Sequence, residues 1–421
     1  MVNMRRCLLY GGSCNLSMKK GLTTKKSRAK VQYIVLCKGE KRMDDYSRLQ
    51  AYMEQLHREK GVPGCAVAVY RHGKPVYTAC VGYADRAHTR PVAENDLYFL
   101  YSCSKPITVT AAMQLVEQGK MGLDDPVCRY LPEYAEAYYM QDGQPVPVGD
   151  TMRLRHLFTM SAGLTYNLNT EAIRAVQEQT GNNATTRQMV AAFIREPLSF
   201  PPEQQFQYSL CHDVLAAVVE VVSGQRFGDY LQEHIFRPLG MTDTGFFPTP
   251  EQYARIADQY TVNDEKQVVP VAKENAGFQL SAQYESGGAG LVSSLTDYGR
   301  FAAAMACGGQ AADGTRLLRP ETIDQMRTQQ KGQYVMHNTF SCAFGAGYSY
   351  GLGVRTLIDR SAGQRSSLGE FGWDGAAGSY ILMDPTPQIA IVYTQHVLNW
   401  PSRFGAIHEP IRDLTYEALG L

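Results

Sequence analysis

The sequence predicts an α+β fold, with one sheet assembled from strands at both ends of the chain and an all-helical insertion between them. Two hairpin-like stretches and an intervening run of helical periodicity carry that prediction. Residues 65–70 form a short apolar run, Arg71-His72-Gly73-Lys74 turns it, and residues 75–83 continue as a second strand-like segment. Near the other end, residues 378–383 and 388–395 are β-branched and aromatic runs separated by the turn signal Asp384-Pro385-Thr386-Pro387. Residues 409–419 read as a closing helix, and helical patterns fill the middle at 107–118, 214–222 and 297–305. The final hairpin has no strand-like neighbours of its own. This favours a shared sheet over the alternative of two unrelated α/β domains. No internal repeat is present, which excludes solenoids and arrays.

Composition narrows the function. With 421 residues, 44% of them hydrophobic, the chain can bury a large core. Lys+Arg (41) balance Asp+Glu (41), so no global field recruits nucleic acid or an anionic membrane, and the expected partner is a small molecule. The balance is uneven along the chain: residues 1–42 hold eleven Lys/Arg against Glu40 alone. The apolar runs there, 7–10 and 33–37, are too short for a signal-peptide core or a membrane span. An amphipathic pattern (Tyr46, Leu49, Tyr52, Met53, Leu56) starts only after Met43, which is a candidate initiator. The reading is a basic extension over 1–42, the rival being a basic targeting segment, and a hydrolase domain over 43–421. The ten cysteines include no C-x-x-C pair and no His cluster completes a metal set, so no metal and no cofactor is expected. They read as reduced thiols in a cytoplasmic protein.

The chemistry concentrates at Tyr101-Ser102-Cys103-Ser104-Lys105-Pro106, which opens the helix 107–118. Its S-x-x-K spacing is not specific by itself, since Ser17 to Lys20 and Ser27 to Lys30 repeat it in the basic tail. Position adds meaning. Residues i and i+3 share one helical face, so Lys105 reaches the Ser102 hydroxyl, and the first N–H groups of the helix favour negative charge there. A lysine tucked against an apolar helix loses solvation, its pKa falls, and the neutral amine can accept the serine proton.

From Ser102 through Ala112-Met113-Gln114-Leu115-Val116-Glu117-Gln118-Gly119-Lys120 to Leu123-Asp124-Asp125-Pro126-Val127 and Tyr130-Leu131-Pro132-Glu133, the chain resembles the nucleophile helix of the class C β-lactamase family and its esterase relatives. The resemblance continues through Arg155-His156-Leu157-Phe158-Thr159-Met160-Ser161-Ala162-Gly163-Leu164-Thr165-Tyr166 and Arg237-Pro238-Leu239-Gly240-Met241, then Gly287-Gly288-Ala289-Gly290-Leu291 and Tyr350-Gly351-Leu352-Gly353-Val354, spanning roughly 45–420. It implies a β-lactamase/transpeptidase-like fold, an antiparallel sheet flanked by helices, with the site between sheet and insertion. The family's Tyr-x-Asn motif is matched by Tyr208-Ser209-Leu210, with Leu210 in place of the asparagine that would hold a substrate amide. Tyr208 then carries the family's role of relaying the serine proton, with a pKa expected to be lowered by the cationic lysine. Its Lys-Thr-Gly motif is replaced by Trp373-Asp374-Gly375, which is similar to family VIII carboxylesterases. An indole there offers an apolar wall and one N–H donor instead of an ammonium for a carboxylate. Trp373, Gly375 and Leu210 are thus the expected substrate-binding residues. The backbone N–H groups of Ser102 and Ala376 are the oxyanion hole that the resemblance implies.

The implied enzyme is a serine hydrolase cleaving ester or amide bonds. The alternatives are a β-lactamase or D-alanyl-D-alanine peptidase, and a non-catalytic binding or sensory module. His156, His212 and His396 read as structural, Cys103 as a packing residue, and Gly287–Gly290 as a turn bordering the site rather than a phosphate loop.

Overall fold

The computed structural model describes residues 44–328 and 345–421. The basic stretch 1–42, Met43, the two S-x-x-K repeats of the tail, and Cys7, Cys14, Cys37 and Cys342 lie outside the described residues.

The amphipathic pattern after Met43 becomes helix α1 (Ser47–Arg58), with Leu49, Met53 and Leu56 buried. Next comes the expected hairpin, β1 (Gly64–Arg71) and β2 (Lys74–Gly82), paired antiparallel and turned through His72 and Gly73 at positive φ. The chain then enters β3 (Leu97–Phe99), the nucleophile helix α2 (Ser104–Glu117) and, after the insertion, helix α3 (Cys211–Ser223). It returns through β4 (Val292–Ser294), α4 (Leu295–Ala306), β5 (Tyr348–Tyr350), β6 (Arg355–Leu357), β7 (Phe371–Asp374), β8 (Tyr380–Asp384) and β9 (Ile389–Gln395), and closes in α5 (Glu409–Ala418).

Both chain ends feed one seven-stranded sheet in the order β2-β1-β9-β8-β7-β6-β5, antiparallel throughout. Every residue of β9 is buried, so helices cover both faces of the sheet centre and its strands read as unbroken apolar runs. Helix α4 packs on β1, β8 and β9, while α1 packs on β1, β2 and α5. Gly299 lets α4 approach closely: a Cβ there would sit 2.3 Å from the Tyr70 hydroxyl oxygen. Residues Tyr46–Leu421 form one compact unit.

The insertion is mainly helical, as expected, but also contains a small hairpin, Tyr138–Gln141 with Gln144–Pro147. Asp142 and Gly143 turn it, both at positive φ, as a two-residue hairpin requires. Its strands are largely exposed and give no alternating apolar signal. Further on, β3 pairs with β4, and the Leu100 amide donates to the Leu291 carbonyl (2.9 Å) while the Leu291 amide donates to Ser104 Oγ (3.1 Å). These bonds fasten the glycine run 287–290 along the start of α2.

Candidate active site

Ser102 sits in a 3-10 turn, Tyr101–Cys103, that runs directly into α2. Tyr101 holds φ at +49°, a conformation costing a non-glycine residue about 1–3 kcal/mol. Its hydroxyl, bonded to Gln259 Oε1 (2.9 Å) and to the backbone of Gly277, anchors the turn. Ser102 remains partly exposed, while α2 is buried on every side from Ser104 to Leu115. One face meets α3 and another the end of β7. A partly exposed serine is therefore mounted at the start of a buried helix.

Lys105, fully buried, lies with Nζ 3.3 Å from Ser102 Oγ, 3.1 Å from the Tyr166 hydroxyl and 2.8 Å from the Gly288 carbonyl oxygen. Burial pulls its pKa down from 10.5 to about 8, and the buried Asp213 carboxylate opposes that fall. In free energy, the ammonium is disfavoured against the amine by about 3 kcal/mol. Folding carries this cost below pH 8 and is relieved of it as pH rises from about 8 toward 10.5, where only the unfolded chain keeps the proton. A neutral amine has two N–H donors and one lone pair. One N–H goes to Gly288, whose carbonyl can only accept, and the lone pair can take the Ser102 proton.

Four aromatic side chains frame the other side. Tyr166 stacks on Tyr208 (5.6 Å between centroids) and Tyr208 on Trp373 (5.5 Å), while Tyr350 meets Trp373 edge-on at 5.2 Å. Lys105 Nζ lies 4.5 Å from the Tyr208 ring centroid. The Tyr208 hydroxyl accepts from Trp373 Nε1 (3.1 Å) and is hydrogen-bonded to Ser102. An indole N–H can only donate, so the Tyr208 oxygen is the acceptor there. Tyr208 and Ser102 share a hydrogen bond, and Ser102 can donate to Lys105 when the lysine is the neutral amine.

Two expectations change here. Tyr208 is not acidified: burial raises its pKa well above the usual tyrosine value, outweighing the hydrogen bonds from Ser102 and Trp373 that lower it. It stays a neutral phenol. Trp373 is 1% exposed and Leu210 2%, so neither presents an open wall to substrate. Trp373 acts on the site through Tyr208, and Leu210 packs at the start of α3. Gly375 is also buried, and a Cβ there would fall 2.2 Å from the Leu100 carbonyl oxygen and 2.1 Å from Ser379 Oγ. Its missing side chain lets the end of β7 lie against the segment that leads into Ser102. Ala376 follows on the exposed turn.

The glycine run does more than border the site. Gly287 accepts from Thr108 Oγ1 (2.7 Å) and Gly288 from Lys105, and a Cβ on Gly288 would lie 2.4 Å from Asp213 Oδ2. The segment is threaded between α2 and α3, where only glycine fits. Asp213, held by Tyr284 and Ser286 (2.5 Å each), and Tyr166 were not assigned roles from sequence. An acid opening the apolar run 214–222 and a tyrosine ending the run 155–166 were the available signals. His156, His212 and His396 have pKa values pushed down by burial to about 4, 3 and 4, so they are neutral throughout the working range. His156 accepts from the Arg153 amide, and His212 and His396 bond the carbonyl oxygens of Phe158 and Ala257, all away from Ser102. Cys103 is buried with its thiol pushed up to about 12, an inert packing residue. No group of His, Cys, Asp and Glu able to hold a metal occurs among the described residues.

The sequence model of the Beta-lactamase family matches residues 49–414. The chain belongs to this family. Within the family it is 30% identical over 393 residues to Esterase EstB of Burkholderia gladioli, covering 88% of this chain and 95% of that one. It is also 29% identical over 252 residues to the Lovastatin esterase of Penicillium rubens, 58% and 62% of the two chains. Among solved structures, EstCE1, described as a hydrolase with promiscuous acyltransferase activity, superposes with a TM-score of 0.72 at 28% identity, covering 88% of this chain and 98% of that one. Simvastatin synthase from Aspergillus terreus shares the fold (TM-score 0.72, 22% identity). The β-lactamase-like α+β fold read from the sequence is therefore the observed one, and the protein is a serine hydrolase of this family. No helix among the described residues is long and apolar enough to cross a membrane.

The buried lysine gives a first prediction. Turnover needs the neutral amine, so kcat/KM for a non-ionising ester should climb about tenfold per pH unit below pH 8 and level off above it. Initial rates from pH 5.5 to 10 measure this. A flat profile through pH 8 would contradict Lys105 as the proton acceptor.

Proposed function

We propose that this protein hydrolyses small esters, and amides to a lesser extent, through an acyl-enzyme on Ser102. The observation that carries the reading is a desolvated lysine amine 3.3 Å from a serine hydroxyl that a neutral tyrosine also contacts. Lys105 takes the Ser102 proton as Oγ attacks the carbonyl carbon. The oxyanion is received by the backbone N–H groups of Ser102 and Ala376. Tyr208 hands its proton to the departing alkoxide and is reprotonated by the proton Lys105 took from Ser102, so it is a phenol, and the lysine a neutral amine, before and after. Water then attacks the acyl-enzyme, its proton passing to the same pair, and Ser102 is restored. The names of the esterase relatives support ester substrates.

The selectivity argument is electrostatic. A β-lactam or a peptide terminus brings a carboxylate, and Trp373 stands where an ammonium would receive it, its single N–H already committed to Tyr208. We expect p-nitrophenyl butyrate to be turned over with a kcat/KM about 10- to 100-fold above that of nitrocefin, since losing a charge-assisted partner costs roughly 1.5–3 kcal/mol. Parallel assays of the two chromogenic substrates decide it, and comparable values would point to the β-lactamase reading. We further propose that residues 43–421 are the catalytic domain. Its free thiols, half of them buried, suit a reducing cytoplasm.

A further inference from the structure

A second polar cluster lies at the end of β7, just beyond Trp373. Arg355 is fully buried, its guanidinium 4.7 Å from the Phe404 ring centroid, 5.0 Å from Tyr348 and 5.3 Å from Tyr380. It lies 3.7 Å from one carboxylate oxygen of Asp374 and 4.0 Å from Glu370. The other oxygen of Asp374 accepts from Arg403 Nη2 at 3.3 Å. Arg403 Nη1 donates to the carbonyl oxygen of Ala376. One guanidinium therefore grips the turn Gly375-Ala376-Ala377-Gly378 on both sides of the peptide unit that contains the Ala376 N–H.

This turn has no side chains of its own to hold it. Its four side chains are hydrogen or methyl, Ala376 is exposed, and glycine loses more backbone entropy on ordering than any other residue. The Gly375 amide donates to Ser379 (2.8 Å), the Gly378 amide to Gly375 (2.9 Å) and the Val397 amide to Ala377 (2.9 Å). The bond to the Gly375 carbonyl holds the peptide unit that carries the Ala376 N–H from one side, but none of the three reaches the Ala376 carbonyl on the next unit, whose anchoring limits how that N–H can turn. Arg403 supplies that anchor from 27 residues further along the chain.

We propose that Arg403 is a positioning residue that aims the Ala376 N–H into the oxyanion hole. The proposal rests on the reading that Ser102 is acylated and that Ala376 provides one donor. Arg403→Ala should lower kcat for p-nitrophenyl butyrate about 10- to 100-fold, less than the loss of a whole oxyanion donor, with KM within about threefold. Affinity for a boronic acid that forms a tetrahedral adduct should fall in parallel with kcat. Guanidinium chloride below denaturing concentrations should restore part of the rate, because the arginine side chain is partly exposed and the vacated space opens toward solvent. Arg403→Lys, which keeps one donor, should fall between the two, and it provides the readout if the alanine variant does not fold. Arg403→Ala or Arg403→Lys variants with kcat and boronate affinity within twofold of wild type would overturn the proposal. A parallel loss of KM and kcat without guanidinium rescue would do so as well. Ser102→Ala serves as the separate control: if it is inactive, a failure at Arg403 is confined to this proposal, and if it stays active the underlying acyl-enzyme reading falls with it.

Discussion

Replacing Lys105 with alanine is expected to slow acylation of Ser102 by ~10²–10⁴-fold, the usual worth of a positioned proton acceptor. The magnitude follows from the surroundings. Lys105 is the amine at the Ser102 hydroxyl, it is fully buried, and His156, His212 and His396 hydrogen-bond elsewhere. The deletion also removes a charged group from the core, so the loss of activity should not be matched by a comparable loss of stability below pH 8, where the ammonium is a burden on the fold. Single-turnover kinetics with a chromogenic ester, alongside thermal denaturation at pH 7, separates the two effects. A variant that acylates at near wild-type rate would show that another group accepts the proton.

The second large effect is expected at Tyr208. Tyr208→Phe keeps the ring between Tyr166 and Trp373, whose stacking contributes about 0.5–1.5 kcal/mol per pair, and removes only the hydroxyl. Ser102 then loses its hydrogen-bond partner Tyr208, and the leaving group loses its proton source. The expected result is a fall in kcat of roughly 10²-fold with little change in KM. Trp373 also loses this acceptor, a loss of about 1 kcal/mol in stability. The loss in kcat should shrink for esters with a good leaving group such as p-nitrophenol and grow for simple alkyl esters, because only the latter need protonation on departure. Equal losses across the leaving-group series would argue against a relay through Tyr208.

Local features of the fold and site were legible in the sequence for physical reasons. The hairpin 65–83 and the final hairpin announce themselves by apolar runs and turn residues, and the continuous burial of Ile389–Gln395 explains why they must share one sheet. Ser102 and Lys105 lie three residues apart, so helical geometry alone brings them together. Tyr208 required the resemblance, because it arrives from a different helix start. Its ionisation was misjudged: proximity to a lysine was weighed, whereas burial between two rings dominates. Trp373 was expected to face substrate, but its single donor turns inward to Tyr208. Arg403, Asp213 and the Gly288 carbonyl were not legible as parts of the site. Each acts across a contact between segments far apart in sequence, with no local periodicity to mark it.

The most direct measurement is intact-protein and peptide mass spectrometry after brief exposure to a fluorophosphonate probe, comparing wild type with Ser102→Ala. The account predicts one adduct per wild-type chain, on the peptide containing Ser102, formed faster as pH rises through 8 and absent from the variant. Labelling that persists in Ser102→Ala, or that falls on another residue of the wild type, would contradict it.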